Sequence, residues 1–185
     1  PTPFAIEGLT GDGAGNLYTT GRPAGQPCPV WRIPVDNPSL VTVGFVPAPC
    51  SPSGIAFDAR GDLFLADADK VWTLTPNAVA PPTATVYATG VPGTNGLAFD
   101  RGGNLWTGDG TTGQGRVWRI APGGGPGVEM FRVQPLNVAG RGLLMALAWE
   151  GEVMMDMRAP SHHLLVIGGP THGDSQLVVS IEPEY

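Results

Sequence analysis

The stretch Gly54-Ile-Ala-Phe-Asp-Ala-Arg-Gly-Asp-Leu-Phe-Leu-Ala-Asp67 decides the fold. Ile55–Asp58 reads as a short strand and Leu63–Ala66 as its return. Between them lies a turn in which Gly61 can take positive φ and Asp58 can hydrogen-bond its own backbone. The same fourteen columns recur without a gap on either side. Before it runs Gly8-Leu-Thr-Gly-Asp-Gly-Ala-Gly-Asn-Leu-Tyr-Thr-Thr-Gly21, and after it Gly96-Leu-Ala-Phe-Asp-Arg-Gly-Gly-Asn-Leu-Trp-Thr-Gly-Asp109. A leading Gly, the turn Asp (Asp12, Asp58, Asp100) and the turn Gly (Gly15, Gly61, Gly103) are common to all three. So is a Leu followed by an aromatic ring: Leu17-Tyr18, Leu63-Phe64 and Leu105-Trp106.

Each unit is followed by a second echo, Val30-Trp-Arg-Ile33, Val71-Trp-Thr-Leu74 and Val117-Trp-Arg-Ile120, which reads as a third strand. A fourth follows in the middle unit over Thr83 to Thr89. The repeats are spaced by 46 and then 42 residues. Internal periods of this length mark a solenoid, a propeller or an array. Four antiparallel strands per period, without helical periodicity, select a β-propeller blade. Trp31, Trp72 and Trp118 are expected to fill the wedges between neighbouring blades, because a repeat can bury its faces only against its neighbours.

After Val133 the pattern weakens. Met145 to Met155 reads as strand, turn at Gly151 and strand, with Leu164–Ile167 and Gln176–Ile181 completing a divergent fourth unit. The expectation is an all-β, single-domain chain over residues 1–185, with blades near 4–50, 51–93, 94–139 and 140–185. Gly123-Gly-Gly-Pro-Gly127 lacks the Lys and the following helix of a phosphate loop, and is expected to be a hairpin within a blade.

Composition agrees. About one residue in four is Gly or Pro (28 and 20 of 185), yet 42% are hydrophobic and only 14% charged. That balance is the opposite of a disordered chain and places the Gly and Pro in turns between packed strands. The net charge is −6, and Lys70 is the only lysine. With no basic cluster, nucleic acid is not an expected partner. No apolar run approaches the roughly 20 residues of a membrane-spanning helix, and no membrane partner is expected. Cys28 and Cys50, both beside proline, are expected to pair in one disulfide, which suits a secreted or periplasmic protein.

The phrases Gly54 to Asp67 and Thr94-Asn-Gly-Leu-Ala-Phe-Asp100 resemble two related groups. One is the senescence marker protein, gluconolactonase and luciferin-regenerating enzyme family; the other is the NHL-repeat propellers. The resemblance covers residues 4 to 133. It implies six-bladed geometry and hydrolysis of lactones or esters with one divalent cation in the central channel. The family's ligands precede the leading Gly of selected blades, a Glu in the first, Asn in the third and fourth, and Asp in the fifth. That column reads Glu7, Ser53, Asn95 and Leu143 here. Glu7 and Asn95 therefore match as metal ligands, Ser53 matches an unliganded second blade, Leu143 departs, and the fifth-blade Asp has no counterpart.

Carboxylate and amide oxygens suit a hard cation, Ca²⁺ foremost, which takes six to eight oxygens. Asp109, flanked by Gly108 and Gly110, is expected to lie in an open loop and serve as general base, whereas Asp67 and Asp69 are expected to hold turns. The alternative to a lactone or ester hydrolase is a non-catalytic, NHL-like module that binds a ligand or a protein. The methionines of the tail are expected to be core filler, and adjacent His162 and His163 point to opposite faces of a strand, so a metal site built from them and His172 is not expected. Four blades on six-blade geometry would leave apolar faces open. The expectation is thus an incomplete ring, completed by missing residues or a second chain.

Overall fold

The computed structural model describes residues 2–112 and 114–132, and the backbone of three strands beyond them, Leu143–Trp149, Leu164–Gly169 and Leu177–Ile181. The described residues are strands and turns, with no helix among them. Strands β1 (Leu9–Gly11), β2 (Leu17–Thr20), β3 (Cys28–Ile33) and β4 (Val41–Val46) form one antiparallel sheet in chain order. Strands β5 (Pro52–Phe57), β6 (Leu63–Asp67), β7 (Lys70–Leu74) and β8 (Thr85–Thr89) form the second. The third contains β9 (Thr94–Phe99), β10 (Leu105–Asp109), β11 (Arg116–Ile120) and β13 (Val128–Arg132). The chain is an all-β protein built from four-stranded antiparallel propeller blades.

The repeat is visible in the turns. Gly15, Gly61 and Gly103 take φ of 84°, 89° and 78°, and each donates its N–H to the carbonyl of the turn Asp. The wedges between sheets are filled as the column pattern requires. Tyr18, Cys28, Val30 and Val43 of the first sheet pack on Ile55, Leu63 and Leu74 of the second. Phe64, Ala66, Val71 and Val91 pack on Leu97, Leu105, Trp118 and Ile120 of the third. Of the repeated tryptophans, Trp31 and Trp118 are buried, while Trp72 is half-buried and donates its indole N–H to Asp67 at 2.9 Å. Trp31 lies on the outer side of the first sheet, stacked with Phe4 at 6.2 Å between ring centroids. The Cys28–Cys50 disulfide is present, with Cα atoms 6.1 Å apart.

Two details differ from the sequence reading. The Gly-rich segment links β11 to β13, but its short strand β12 (Gly125–Pro126) also pairs in parallel with β8 of the preceding sheet. A Cβ at Gly124 would lie 2.2 Å from the Tyr87 carbonyl oxygen, so glycine is what lets the two sheets close there. It is a seam between blades as well as a hairpin. Further on, β14 (Leu143–Trp149) pairs directly with β15 (Leu164–Gly169), and β15 with β16 (Leu177–Ile181). The expected return strand ending at Met155 therefore does not stand between them, and residues 150–163 lie outside the described residues. That unit lacks the Asp-x-x-Gly turn that fixes the tight hairpin in the other three.

Candidate functional site

The site is set by how closely the inner strands approach. A Cβ on Gly8 would sit 2.2 Å from the Ser53 carbonyl oxygen, and one on Gly54 would sit 1.8 Å from that of Asn95. Gly8 and Gly54 thus each lie against the backbone of the residue that precedes the next leading glycine. Only a residue without a side chain permits this, since the obstacle is backbone and cannot move aside. The consequence is that Glu7, Ser53 and Asn95, spaced by more than forty residues each, come together along one edge.

Asn95 is buried, and its amide Nδ2 donates to Glu7 Oε1 at 3.3 Å across the gap between the first and third sheets. Ser53 lies between them in the column and donates its hydroxyl to the Thr94 carbonyl at 3.2 Å. The other Glu7 oxygen, Oε2, accepts from Arg22 Nη2 in an ion pair. Arg22 Nε donates in turn to the Pro52 carbonyl at 2.8 Å, which ties the guanidinium to the start of the second sheet. Both carboxylate oxygens of Glu7 are therefore occupied, one by an amide and one by a guanidinium.

Sequence reading missed Arg22, although the repeat contains the signal. The residue following each fourteen-column unit is Arg22, Ala68 and Gly110. In the third unit a Cβ at Gly110 would lie 2.5 Å from Asn95 Cβ and Nδ2, so this column borders the ligand column. Among these three units Arg22 is its one charged member.

Asp109 is not in an open loop. It ends β10 opposite Thr94 and is fully buried. Its carboxylate accepts from Thr112 N at 2.7 Å, from Thr111 N and Arg116 Nε, both at 3.3 Å, and from the Thr112 hydroxyl. The following Gly110 serves close packing, not mobility: a Cβ there would lie 2.5 Å from Asn95 Cβ, and its N donates to the carbonyl of Gly93, where a Cβ would meet Asp109 Oδ1 at 2.4 Å. Asp109 organises the loop beside Asn95. Asp67 holds its turn as expected, accepting from Ser51 N and from Trp72, both at 2.9 Å. His162, His163 and His172 lie outside the described residues.

Glu7 and Asn95 offer oxygens of the right chemistry for a hard divalent cation. The 3.3 Å contact runs from the Asn95 amide nitrogen to Glu7 Oε1, so the amide as placed turns its N–H rather than its oxygen to the carboxylate. Among the described residues, no group of three or more His, Cys, Asp or Glu side chains comes together to hold a metal.

No protein-family model matches the chain, and a search of curated proteins finds no match. Solved structures do match. A gluconolactonase from Xanthomonas campestris superposes with a TM-score of 0.64 at 18% identity, covering 89% of this chain and 54% of that one. A streptogramin B lyase gives 0.62 at 13% identity over 94% of this chain and 51% of that one. Nidogen, from a nidogen/laminin complex, gives 0.63 at 19% identity over 94% and 64%. The chain thus spans between half and two thirds of the length of each. At these identities the likeness is one of fold, and it agrees with the resemblance to gluconolactonase-like and NHL-repeat propellers.

Proposed function

We propose that the protein is a secreted or periplasmic hydrolase of lactones or related esters that works from the Glu7–Asn95 edge with a bound divalent cation, Ca²⁺ by the hardness of its donors. The observation that supports this most is the contact of Asn95 with Glu7, two matched ligand positions 88 residues apart. Glu7 would supply the negative charge and Asn95 its amide oxygen after a half-turn of the amide, with further oxygens from outside this pair. When bound, the cation would polarise the substrate carbonyl and acidify an attacking water. Asp109 enters as a positioning group: it fixes the loop whose Gly110 packs on Asn95. The disulfide fits an oxidising compartment.

The partner we propose is a further blade of the same repeat, supplied by a second chain, on the outer face of the first sheet. The apolar Leu9 and Leu17 are exposed there, in the columns that neighbouring blades bury elsewhere. A second reading, a non-catalytic binding module, is favoured by one observation, the neutralisation of Glu7 by Arg22.

Metal analysis of the purified protein, followed by lactone and aryl-ester assays with and without chelator, separates the two. Glu7→Gln is expected to lower metal content and hydrolysis together. Hydrolysis that survives both the substitution and chelation would end the metal-hydrolase reading.

A further inference from the structure

We infer that Pro38-Ser39-Leu40 is a latch for a second copy of this chain: it adds in parallel to the outermost strand of that copy's last sheet, β16, and two copies joined in this way close one ring. The inference rests on the partner proposed for the first sheet, and it supplies that partner's identity and mode of attachment.

The seams inside the chain are the template. Val41, Thr85 and Val128 are equivalent starts of outermost strands, since each pairs with the residue after a repeated tryptophan, Arg32, Thr73 and Arg119. In the second and third sheets the three residues before this start reach back to the preceding sheet. Pro82-Thr83-Ala84 lies in parallel on β4: Phe45 N donates to the Pro82 carbonyl at 2.8 Å, and Ala84 N to the Phe45 carbonyl at 2.7 Å. Gly125-Pro126-Gly127 lies in parallel on β8, with Gly127 N donating to the Thr89 carbonyl at 2.9 Å. Pro38-Ser39-Leu40 holds the same place before Val41, where no sheet among the described residues precedes it. The Leu40 N–H, equivalent to those of Ala84 and Gly127, has no hydrogen-bond partner among the described residues. The same sheet exposes Leu9 and Leu17. A backbone edge and an apolar face thus call for one kind of partner, a sheet of this repeat whose outermost strand is free.

The chain's own last sheet is such a partner. The inner strands β1, β5, β9 and β14 are successive neighbours, so the row of sheets begins at β1 and ends at β14. In the last sheet β16 is the terminal strand, pairing only with β15 among the described residues. Leu143-Leu-Met-Ala-Leu-Ala-Trp149 is apolar at every position, the sequence pattern of a strand covered on both faces. Each copy spans 51–64% of solved structures that share its fold, so two copies carry enough chain for a ring. Each brings four sheets. Twice that number is the upper end of the roughly four to eight blades of propellers. Last sheet to first, two copies make two identical contacts around one axis, and the ring closes.

The test is sedimentation velocity of the full chain for the wild type, Leu40→Pro, Leu40→Ala and Leu17→Glu, with near-ultraviolet dichroism as the check on folding. Leu40→Pro removes the N–H, whereas Leu40→Ala, the residue of the second sheet at this place, keeps it. The wild type is expected to be a dimer, and Leu17→Glu, which sets a charge on the apolar face, a monomer. Leu40→Pro should raise the dissociation constant roughly tenfold per seam, the worth of one buried backbone hydrogen bond, and Leu40→Ala by less. In an otherwise wild-type chain, Ser39→Cys mixed with Ser180→Cys and a short bis-maleimide should cross-link one variant to the other, which decides the matter if Leu40→Pro does not fold. Dimers that Leu17→Glu breaks but folded Leu40→Pro leaves intact overturn the latch while the partner at the first sheet stands. Cross-linking of Ser39→Cys only to itself, or open polymers in place of dimers, overturns the closed head-to-tail ring. A wild type that stays monomeric, or dimers that survive Leu17→Glu, overturns this inference and the proposed partner together.

Discussion

Leu17, Leu63 and Leu105 occupy the same column of the repeat and the same place in their sheets, yet they meet different surroundings. Leu63 and Leu105 are fully buried, whereas Leu17 is 42% exposed. The second column of the repeat behaves the same way: Ile55 and Leu97 are each 8% exposed and Leu9 is 57%. The second and third sheets are covered on this side by the sheet before them, and among the described residues no sheet covers the first. Phe4 and Ile6 extend the same exposed apolar surface. The difference teaches that the sequence repeats a demand for burial more faithfully than these residues can meet it. Residues selected for a blade-to-blade wedge are present where no blade yet covers them.

The comparison is broken most directly by truncating one column. Leu63→Ala should lower the unfolding free energy by about 3–4 kcal/mol, because it removes a fully buried side chain and leaves a cavity between two sheets. Leu17→Ala should cost less than about 1 kcal/mol at protein concentrations where the chain is monomeric, since its side chain is already half in water. Chemical denaturation of both variants over a range of concentrations measures the contrast. A Leu17→Ala loss that grows with concentration would show the face being covered on association. A loss equal to that of Leu63→Ala at every concentration would mean that the face is never open.

The chain's two cysteines tie the first sheet to the connection that leaves it, Cys28 on β3 and Cys50 between β4 and β5. Cys28 is buried with Val30 and Val46, and its bridge to Cys50 closes a loop with a sequence separation of 22. The sheets covered by neighbours on both sides have no such staple. Reduction, or the Cys28→Ser/Cys50→Ser pair, should destabilise the chain by about 3 kcal/mol from the loop-closure entropy regained by the unfolded state. Denaturant midpoints with and without reductant provide the measurement. A loss below about 1 kcal/mol would remove the idea that the bridge compensates for the missing neighbour.

How much of this was legible follows from what a repeat can encode. The Asp-x-x-Gly turns, the leading glycines and the buried Leu columns could be read because three copies state the same physical requirement. Glu7 and Asn95 were legible only as a column matched to a known family, and their contact depends on two glycines, Gly8 and Gly54, closing the inner strands. Arg22 escaped because it lies one residue past the repeated columns, where the copies disagree. Asp109 was placed in the open because its glycine neighbours were read as mobility, when one of them, Gly110, is a site of close approach to Gly93 and Asn95. A glycine announces that a side chain is absent, not whether space or backbone lies beside it.

The turn at Asp12 offers the finest test, because the three copies of the turn are not equivalent. Asp12 accepts from Ala14 N, from Asn16 N and Nδ2, and from the Tyr18 hydroxyl, at 2.8–3.0 Å. Asp100 is held in the same way by Asn104 N and Nδ2 and by the Trp106 indole, each at 2.9 Å. In the second copy the fourth residue is Asp62 and the sixth is Phe64, neither with a donor to offer, and Asp58 accepts from the backbone of Arg60 and Asp62. Within this one chain, Asn in the fourth place goes with a ring that can donate, and Asp with one that cannot. The Asn16 side-chain amide, with the backbone N–H groups of Asn16 and Ala14 and the Tyr18 hydroxyl, holds the Asp12 carboxyl below its ordinary 3.8, against a smaller opposing effect of burial. A carboxylate whose pKa is lowered on folding stabilises the fold above its unfolded pKa, and that contribution is lost as pH falls through the folded value. Asp12→Ala should therefore cost about 1 kcal/mol at neutral pH, the worth of a charge-assisted turn near the surface. The cost should shrink as pH falls from about 4, where the unfolded carboxylate begins to take up protons, through the lower folded value. Urea midpoints of the two proteins from pH 7 down to pH 2 trace it. A gap of constant size across that range would show that the turn is held by Asp12 geometry alone and not by its charge.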